Sequence, residues 1–256
     1  DAGMVGLCLT NAAPLVVPTH GADALLGTNP IAFGAPGEQG LDFLLDMATS
    51  VVPRGKLEVY DRHRRQMPVG WAVDEHGYDA QNPGRVIANL VARAGGGILP
   101  LGGRGESFGG HKGYGLALMV DVLCGVLSGS AFGPEVDNLQ RAPRPGETVA
   151  PRVGHFFLAI DIARFMPVDE FRQRLASLFS VLKNSKKALD HGTVYVHGEK
   201  ERVRTRLHEQ SGIPIAENVL AGLGAIAARC GVPGPVSVAE RLRRQGLDPE
   251  EERGVS

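Results

Sequence analysis

Residues 101–115 read Leu-Gly-Gly-Arg-Gly-Glu-Ser-Phe-Gly-Gly-His-Lys-Gly-Tyr-Gly and run straight into an apolar stretch from Leu116 to Leu127. Glycine lets a backbone come close to a ligand or to another backbone. The open N–H groups at a helix start attract phosphate, and Lys112 adds a full positive charge there. The pattern supports two readings, a phosphate or pyrophosphate cradle and a tight packing turn. Two other places carry ligand-binding groups. Asp46-Met47-Ala48-Thr49-Ser50 follows an apolar run, and strand ends are where layered sheets meet small ligands; the alternative is a strand-ending turn. His197-Gly198-Glu199-Lys200 leads into a helix. There Glu199 is suited either to a ribose or amide group or to the helix dipole.

Other chemistries are disfavoured by spacing. A Walker A loop needs Gly-Lys-Ser/Thr; here His111 separates Gly110 from Lys112, and Gly113 replaces the magnesium-binding hydroxyl. No Gly-x-Gly-x-x-Gly follows a strand with an acid on the next one, so a dinucleotide would not be held by a Rossmann fingerprint. The eight histidines show no metal spacing, and no Gly-x-Ser-x-Gly elbow occurs. No metal site is expected.

The elements that position these groups can be read from the apolar runs. Met4–Thr10, Leu15–Val17, Ile31–Phe33 and Asp42–Asp46 read as strands, apolar enough to be buried on both faces. Residues 60–98 read as mostly irregular surface, with the basic run Arg62–Arg65 a solvated loop. The stretch 116–127 is apolar all round and reads as a buried helix interrupted by Asp121, which then needs a partner. A Pro-rich loop at 130–153 precedes a strand at 154–161. A helix follows Pro167 with Phe171, Leu175, Leu178, Phe179 and Leu182 on one face. Thr193–Val196 reads as a short strand. Helices are expected over 199–210 and 217–230, and a charged tail over 238–256. The order predicts an α/β or α+β protein with a layered sheet.

Composition bounds the function. The 27 basic and 28 acidic residues leave a net charge of -1, which disfavours nucleic-acid binding by bulk charge. No apolar run approaches the ~20 residues of a membrane span, and the N-terminus has no signal-peptide pattern. Cys8, Cys124 and Cys230 are far apart in apolar settings and read as buried free thiols in a reducing cytoplasm. Glycine is abundant, 35 of 256 residues, about twice the ordinary ~7 %.

Six stretches in order resemble one family. They are Leu26–Phe33 (Leu-Gly-Thr-Asn-Pro-Ile-Ala-Phe), Leu45–Ser50, Met67–Asp74, Ile98–Gly103, His111–Leu116 (His-Lys-Gly-Tyr-Gly-Leu) and Gly212–Ile215. Together they resemble the malate/L-lactate dehydrogenase-like oxidoreductases of the second, non-Rossmann type, which include ureidoglycolate, sulfolactate and diketogulonate dehydrogenases and piperideine-carboxylate reductases. The resemblance implies a layered mixed β-sheet of the L-sulfolactate dehydrogenase-like type. It implies an NAD(P)-binding domain at 1–166 and a C-terminal helical part at 167–256 that completes the cofactor and substrate site. The cofactor, NAD or NADP, is expected against Asp46, Met47 and Ala48, His111 and Lys112, and Gly198, Glu199 and Lys200. These are the same three places marked above. The implied reaction is hydride transfer between nicotinamide and a small 2-hydroxy or 2-oxo acid in a homodimer.

Departures from the family pattern are also legible. The leading Ser-His-Gly…Arg pattern, and the His-Phe-Gly element after it, do not occur. They supply the family's proton-transferring histidine and carboxylate-gripping arginine, so the chain reads as a fragment or a degenerate member with no catalytic residue assigned. Ala12 and Ala13 stand where polar residues are usual, His197 replaces a Pro, and Gln81-Asn82-Pro83 replaces Thr-Asp-Pro. The alternatives to a dehydrogenase are a catalytically silent nucleotide-binding module and a different phosphate-ligand enzyme.

Overall fold

A computed structural model of the chain describes residues 2–38, 40–136, 152–215 and 217–236. The chain divides into two compact units, Asp1–Leu189 and Asp190–Ser256.

The first unit is built on β1 (Met4–Thr10), β2 (Ile31–Ala35), β3 (Phe43–Met47) and β6 (His155–Asp161). They form an antiparallel sheet of order β3-β2-β1-β6. A second, two-stranded sheet pairs β4 (Ala72–Val73) with β5 (Gly97–Ile98), and parallel bridges Val16–Ile98 and Asp23–Gly96 tie the N-terminal segment to it. Helices α1 (Arg54–Arg62) and α2 (Pro83–Ala92) pack around this small sheet. Their core includes Val16, Leu57, Met67, Val86, Leu90 and Ile98. Leu9, Ile31, Val120 and Cys124 form a second core under the large sheet. Helix α3 (Gly110–Asp121) runs between the two, giving Ala117 to the first and Val120 to the second. Helix α4 (Val168–Asn184) sets Phe179 against Phe43 of β3.

The layered α/β architecture is as expected, with several local corrections. The segment 60–98 is not mostly irregular. Asn82 caps α2 by accepting from the Arg85 N–H, and Pro83 occupies its first position. An Asn-Pro pair that reads as a turn is equally a helix start, because proline at N1 loses no bond. The apolar helix is not buried all round. It continues from α3 into a π-helical turn at Val122–Val126, and Leu118, Met119, Val122 and Val126 face outward. The large sheet is covered on one face only; Met4, Cys8, Leu44 and Phe157 are exposed on the other. In α4 only Phe179 is buried, and Leu178 and Leu182 are exposed. The Pro-rich loop beyond Val136 and the charged tail lie outside the described residues.

The thiols are also corrected. All three are free, but only Cys124 is buried. Burial and the nearby Asp121 carboxylate push its thiol above its ordinary pKa. Cys8 lies on the open sheet face. Under native conditions a thiol reagent is therefore expected to label Cys8 and Cys230 promptly, and Cys124 only after denaturant is added. Prompt labelling of three thiols would contradict the packing of Cys124.

The second unit contains α5 (Glu199–Ser211) and α6 (Glu217–Cys230). Thr193–Val196 is not a strand: among the described residues nothing pairs with it, and an isolated short strand is not stable in water. Gly212 ends α5 at the expected place.

Candidate functional site

Strand β3 ends at Met47, and the next residues turn into the interior. Asp46 is exposed opposite Ala32, while Met47 turns to the other face and packs with Leu9, Ile31 and Val120. Ala48 is half-buried and Thr49 fully buried. The Thr49 N–H donates to the Thr28 carbonyl at 2.9 Å, and its hydroxyl lies 3.1 and 3.2 Å from the Thr28 and Asn29 carbonyls. The Thr49 carbonyl in turn accepts from the Leu101 N–H at 2.9 Å. This bond brings the end of β3 to the glycine-rich segment.

That segment folds back on α3 by contacts that only glycine allows. Gly102 has φ 94°, and a Cβ there would lie 2.5 Å from the Gly109 carbonyl. A Cβ on Gly110 would overlap the Gly103 carbonyl oxygen, and one on Gly113 would overlap that of Leu101. The tight-packing reading is thus correct for these three glycines. Packing does not exclude a cradle: the helix start carries no capping side chain, and the one side chain that lies against its N-cap Gly109 is the aliphatic stem of Lys112. Gly109, the N-cap, has φ 86° and offers no capping group. His111 and Lys112 in the first turn are exposed, and among the described residues Lys112 makes no ion pair. An uncapped helix start with a cation beside it attracts an anion such as a phosphate.

A buried polar network fixes these two parts to each other. Asp121, at the end of α3, accepts from Asn11 Nδ2 at 3.2 Å, from Asn29 Nδ2 at 3.1 Å and from the Gly133 N–H at 3.4 Å. Asn29 also donates to the Ala117 carbonyl at 2.8 Å and accepts from the Ala12 N–H at 3.0 Å. Asn11 donates to the Ala131 carbonyl and accepts from the Gly154 N–H, both at 2.8 Å. The partner expected for Asp121 is therefore a pair of asparagines. Gly125 makes room for it; a Cβ there would stand 3.1 Å from Asn11 Nδ2. Asn11 and Asn29 look like turn residues in the sequence. Their one visible signal was position, each at the edge of an apolar run.

The third expected place lies in the second unit. Gly198 has φ 92° and precedes α5, whose first residue is Glu199. The Glu199 carboxylate accepts from the Val196 N–H at 3.2 Å, and its own N–H donates to the Val196 carbonyl. This is the helix-start role, with the side chain returned to the chain before it. The Lys200 ammonium lies 4.9 Å from the centre of the Tyr195 ring. The Thr49–Leu101 bond ties the end of β3 to the segment that leads into α3; Asp46 faces the open side of the sheet and Met47 the core side, His111 and Lys112 lie in the first turn of α3, and Gly198, Glu199 and Lys200 lie in the second unit. Among the described residues, no group of three or more His, Cys, Asp or Glu is arranged to hold a metal ion, and no helix is long and apolar enough to cross a membrane.

Comparison with known proteins adds three findings. Residues 1–224 match the malate/L-lactate dehydrogenase family. The chain is 46 % identical over 234 residues to a malate dehydrogenase of Pyrococcus abyssi, covering 91 % of this chain and 61 % of that protein. It is 34 % identical over 220 residues to the NAD(+) ureidoglycolate dehydrogenase of Escherichia coli K12, covering 85 % and 57 %. Among solved structures, malate dehydrogenase from Entamoeba histolytica superposes with a TM-score of 0.82 at 28 % identity, covering 91 % of this chain and 63 % of that one. The chain spans about three fifths of the length of the relatives it matches.

Proposed function

The chain belongs to the malate/L-lactate dehydrogenase family, and from that premise we propose that it carries the NAD(P)-holding part of an oxidoreductase acting on a small 2-hydroxy or 2-oxo acid. The bound nicotinamide supplies the hydride chemistry, and the protein binds and orients it. In this reading residues 1–166 are the NAD(P)-binding domain and 167–256 the C-terminal helical part. The carrying observation is the Thr49–Leu101 bond, which ties the end of β3 to the glycine-rich segment leading into the uncapped first turn of α3.

In this reading Lys112 and His111 face the phosphates, where the helix start and the ammonium both favour negative charge. Asp46, Met47 and Ala48, at the end of β3, are the second group of cofactor contacts in this reading. Asp46 offers a carboxylate to a hydroxyl or amide, and Met47 is held by the core behind it. Gly198, Glu199 and Lys200, at the start of α5, are the third group of cofactor contacts in this reading. The proton donor to the substrate and the cation for its carboxylate are assigned to no residue of this chain. The names of the relatives, malate and ureidoglycolate dehydrogenases, support a 2-hydroxy acid as substrate. The free cysteines support a reducing, cytoplasmic setting, and a homodimer is the expected assembly.

The test is a fluorescence titration with NADH and then NADPH. Saturable binding is expected, and Lys112→Ala is expected to weaken it about 10- to 100-fold, since a charge-assisted bond is worth ~1.5–3 kcal/mol. A folded chain that binds neither nucleotide would overturn the reading. Unchanged affinity in Lys112→Ala would remove Lys112 from the site.

A further inference from the structure

The first unit holds a cavity of about 230 Å³ between the chain that precedes β2, the end of α2 and the short helical turn Gly133–Glu135. None of the candidate cofactor residues lines it. Pockets for drug-sized ligands span ~300–1,000 Å³, so this one suits a smaller molecule. Its apolar surface comes from Pro14, Leu25, Leu90 and Pro134.

Two exposed residues on its rim, Asp23 and Arg93, add one charge of each sign. Among the described residues neither side chain makes an ion pair or a hydrogen bond. An acid and a base that border one cavity without meeting leave both charges to a molecule between them. The backbone fixes where Arg93 stands. It is the C-cap of α2, with φ 54°, and its N–H and that of Ala94 both donate to the Asn89 carbonyl. The carbonyls of Leu90, Val91 and Ala92 then accept from no group among the described residues. They form the negative end of the helix. Asp23 is close to that end: its Oδ1 stands 3.5 Å from the place of a Cβ on Gly95, two residues beyond Arg93.

Each part of the cavity selects a chemical group. Asp23 and the end of α2 attract an ammonium and repel a carboxylate. The Arg93 guanidinium, a planar fork of donors, suits a carboxylate. The apolar surface suits a short hydrocarbon chain. One small molecule carries all three, a free α-amino acid with an aliphatic side chain. A 2-hydroxy acid has no cation to offer Asp23. A peptide carries its ammonium and its carboxylate on different residues, too far apart for so small a cavity. The site also adjoins the buried network. The Gly133 N–H donates to Asp121 at 3.4 Å, and a Cβ on Gly133 would stand 3.2 Å from the Leu25 carbonyl oxygen. A molecule seated against Leu25 and Pro134 therefore braces the turn that the network holds.

We propose that this cavity binds a free aliphatic α-amino acid, its ammonium at Asp23 and the end of α2, its carboxylate at Arg93, and its side chain against the prolines and leucines. The proposal does not rest on the dehydrogenase reading, and no arm of its test uses nucleotide binding.

Calorimetric titration of the full chain with L-leucine is the test. Saturable binding at millimolar concentration or below is expected, and with it a raised Tm, since the ligand binds only the folded chain. Isocaproate is leucine without the ammonium, isoamylamine is leucine without the carboxylate, and glycine has no hydrocarbon chain. Each is expected to bind at least ~10-fold more weakly, because a charge-assisted contact, or the burial of a leucine side chain, is worth that factor. Asp23→Asn and Arg93→Asn are expected to weaken leucine binding ~10-fold for the same reason. Asparagine tolerates the left-handed backbone of Arg93, and circular dichroism checks that both variants fold. A folded chain that shows no saturable leucine binding, isocaproate binding as tightly as leucine, or an affinity that neither variant changes would each overturn the proposal.

Discussion

Asp121→Ala is expected to lower the free energy of unfolding by about 3–5 kcal/mol, a large part of the ~5–15 kcal/mol that holds a domain together. The reason is the asymmetry of buried hydrogen bonds. The carboxylate receives Asn11, Asn29 and the Gly133 N–H, and all of these groups are buried. Removing it strands those donors in the interior, at ~1–3 kcal/mol for each that finds no other partner. Asn11 and Asn29 keep their carbonyl partners Ala131 and Ala117, which limits the loss. Asp121→Asn is a sharper probe, because its amide turns an N–H₂ group toward one of the other amides in place of an acceptor. It is expected to cost about as much as Asp121→Ala despite its matching shape. Urea unfolding of the three chains measures this. A loss below ~1 kcal/mol in both would mean that the network does not hold α3 to the turns at Asn11 and Asn29.

Gly113→Ala is expected to cost about 2–4 kcal/mol and to weaken nucleotide binding as well. A Cβ at Gly113 would overlap the Leu101 carbonyl oxygen and lie 2.6 Å from the Leu101 nitrogen. Both are backbone atoms, so no side chain can swing away. The displaced residue is the one whose N–H bonds the Thr49 carbonyl, so the strain passes directly to the turn that ends β3. Gly115, two residues on in the same helix, is the control. A Cβ there meets nothing within 4 Å, and the site is exposed. Gly115→Ala is expected to stabilise the chain by ~0.5–1 kcal/mol, because alanine loses less backbone entropy in a helix. Thermal unfolding and NADH titration of the pair decide the matter. Equal effects would mean that the Gly113–Leu101 approach is not tight.

The element ends that carry the three candidate places were legible because each depends on local chemistry: a glycine cluster before a helix, a polar run after a strand, an acid at a helix start. Their groups are found at those element ends. The strand at 155–161 and the helices at 168–184, 199–211 and 217–230 were legible for the same reason, since periodicity, Pro167 and Gly212 are local signals. Helix α2 was missed because Asn82-Pro83 has two local meanings and only packing of Val86 and Leu90 chooses between them. Thr193–Val196 was over-read because β-propensity without a partner strand forms no sheet.

By itself the amino-acid sequence determined the family and the layered α/β class, and it marked the three candidate places, because six ordered motifs and short-range patterns carry that information. Tertiary structure alone decided that Asn11, Asn29 and Asp121 form one network, although Asp121 is 110 and 92 residues away from its two amides. It also decided which glycines are held by packing, which thiol is buried, and which face and edge of the sheet stay open. Each of these depends on what a distant segment places beside a residue, and burial and hydrogen-bond partners are properties of that neighbourhood rather than of the residue.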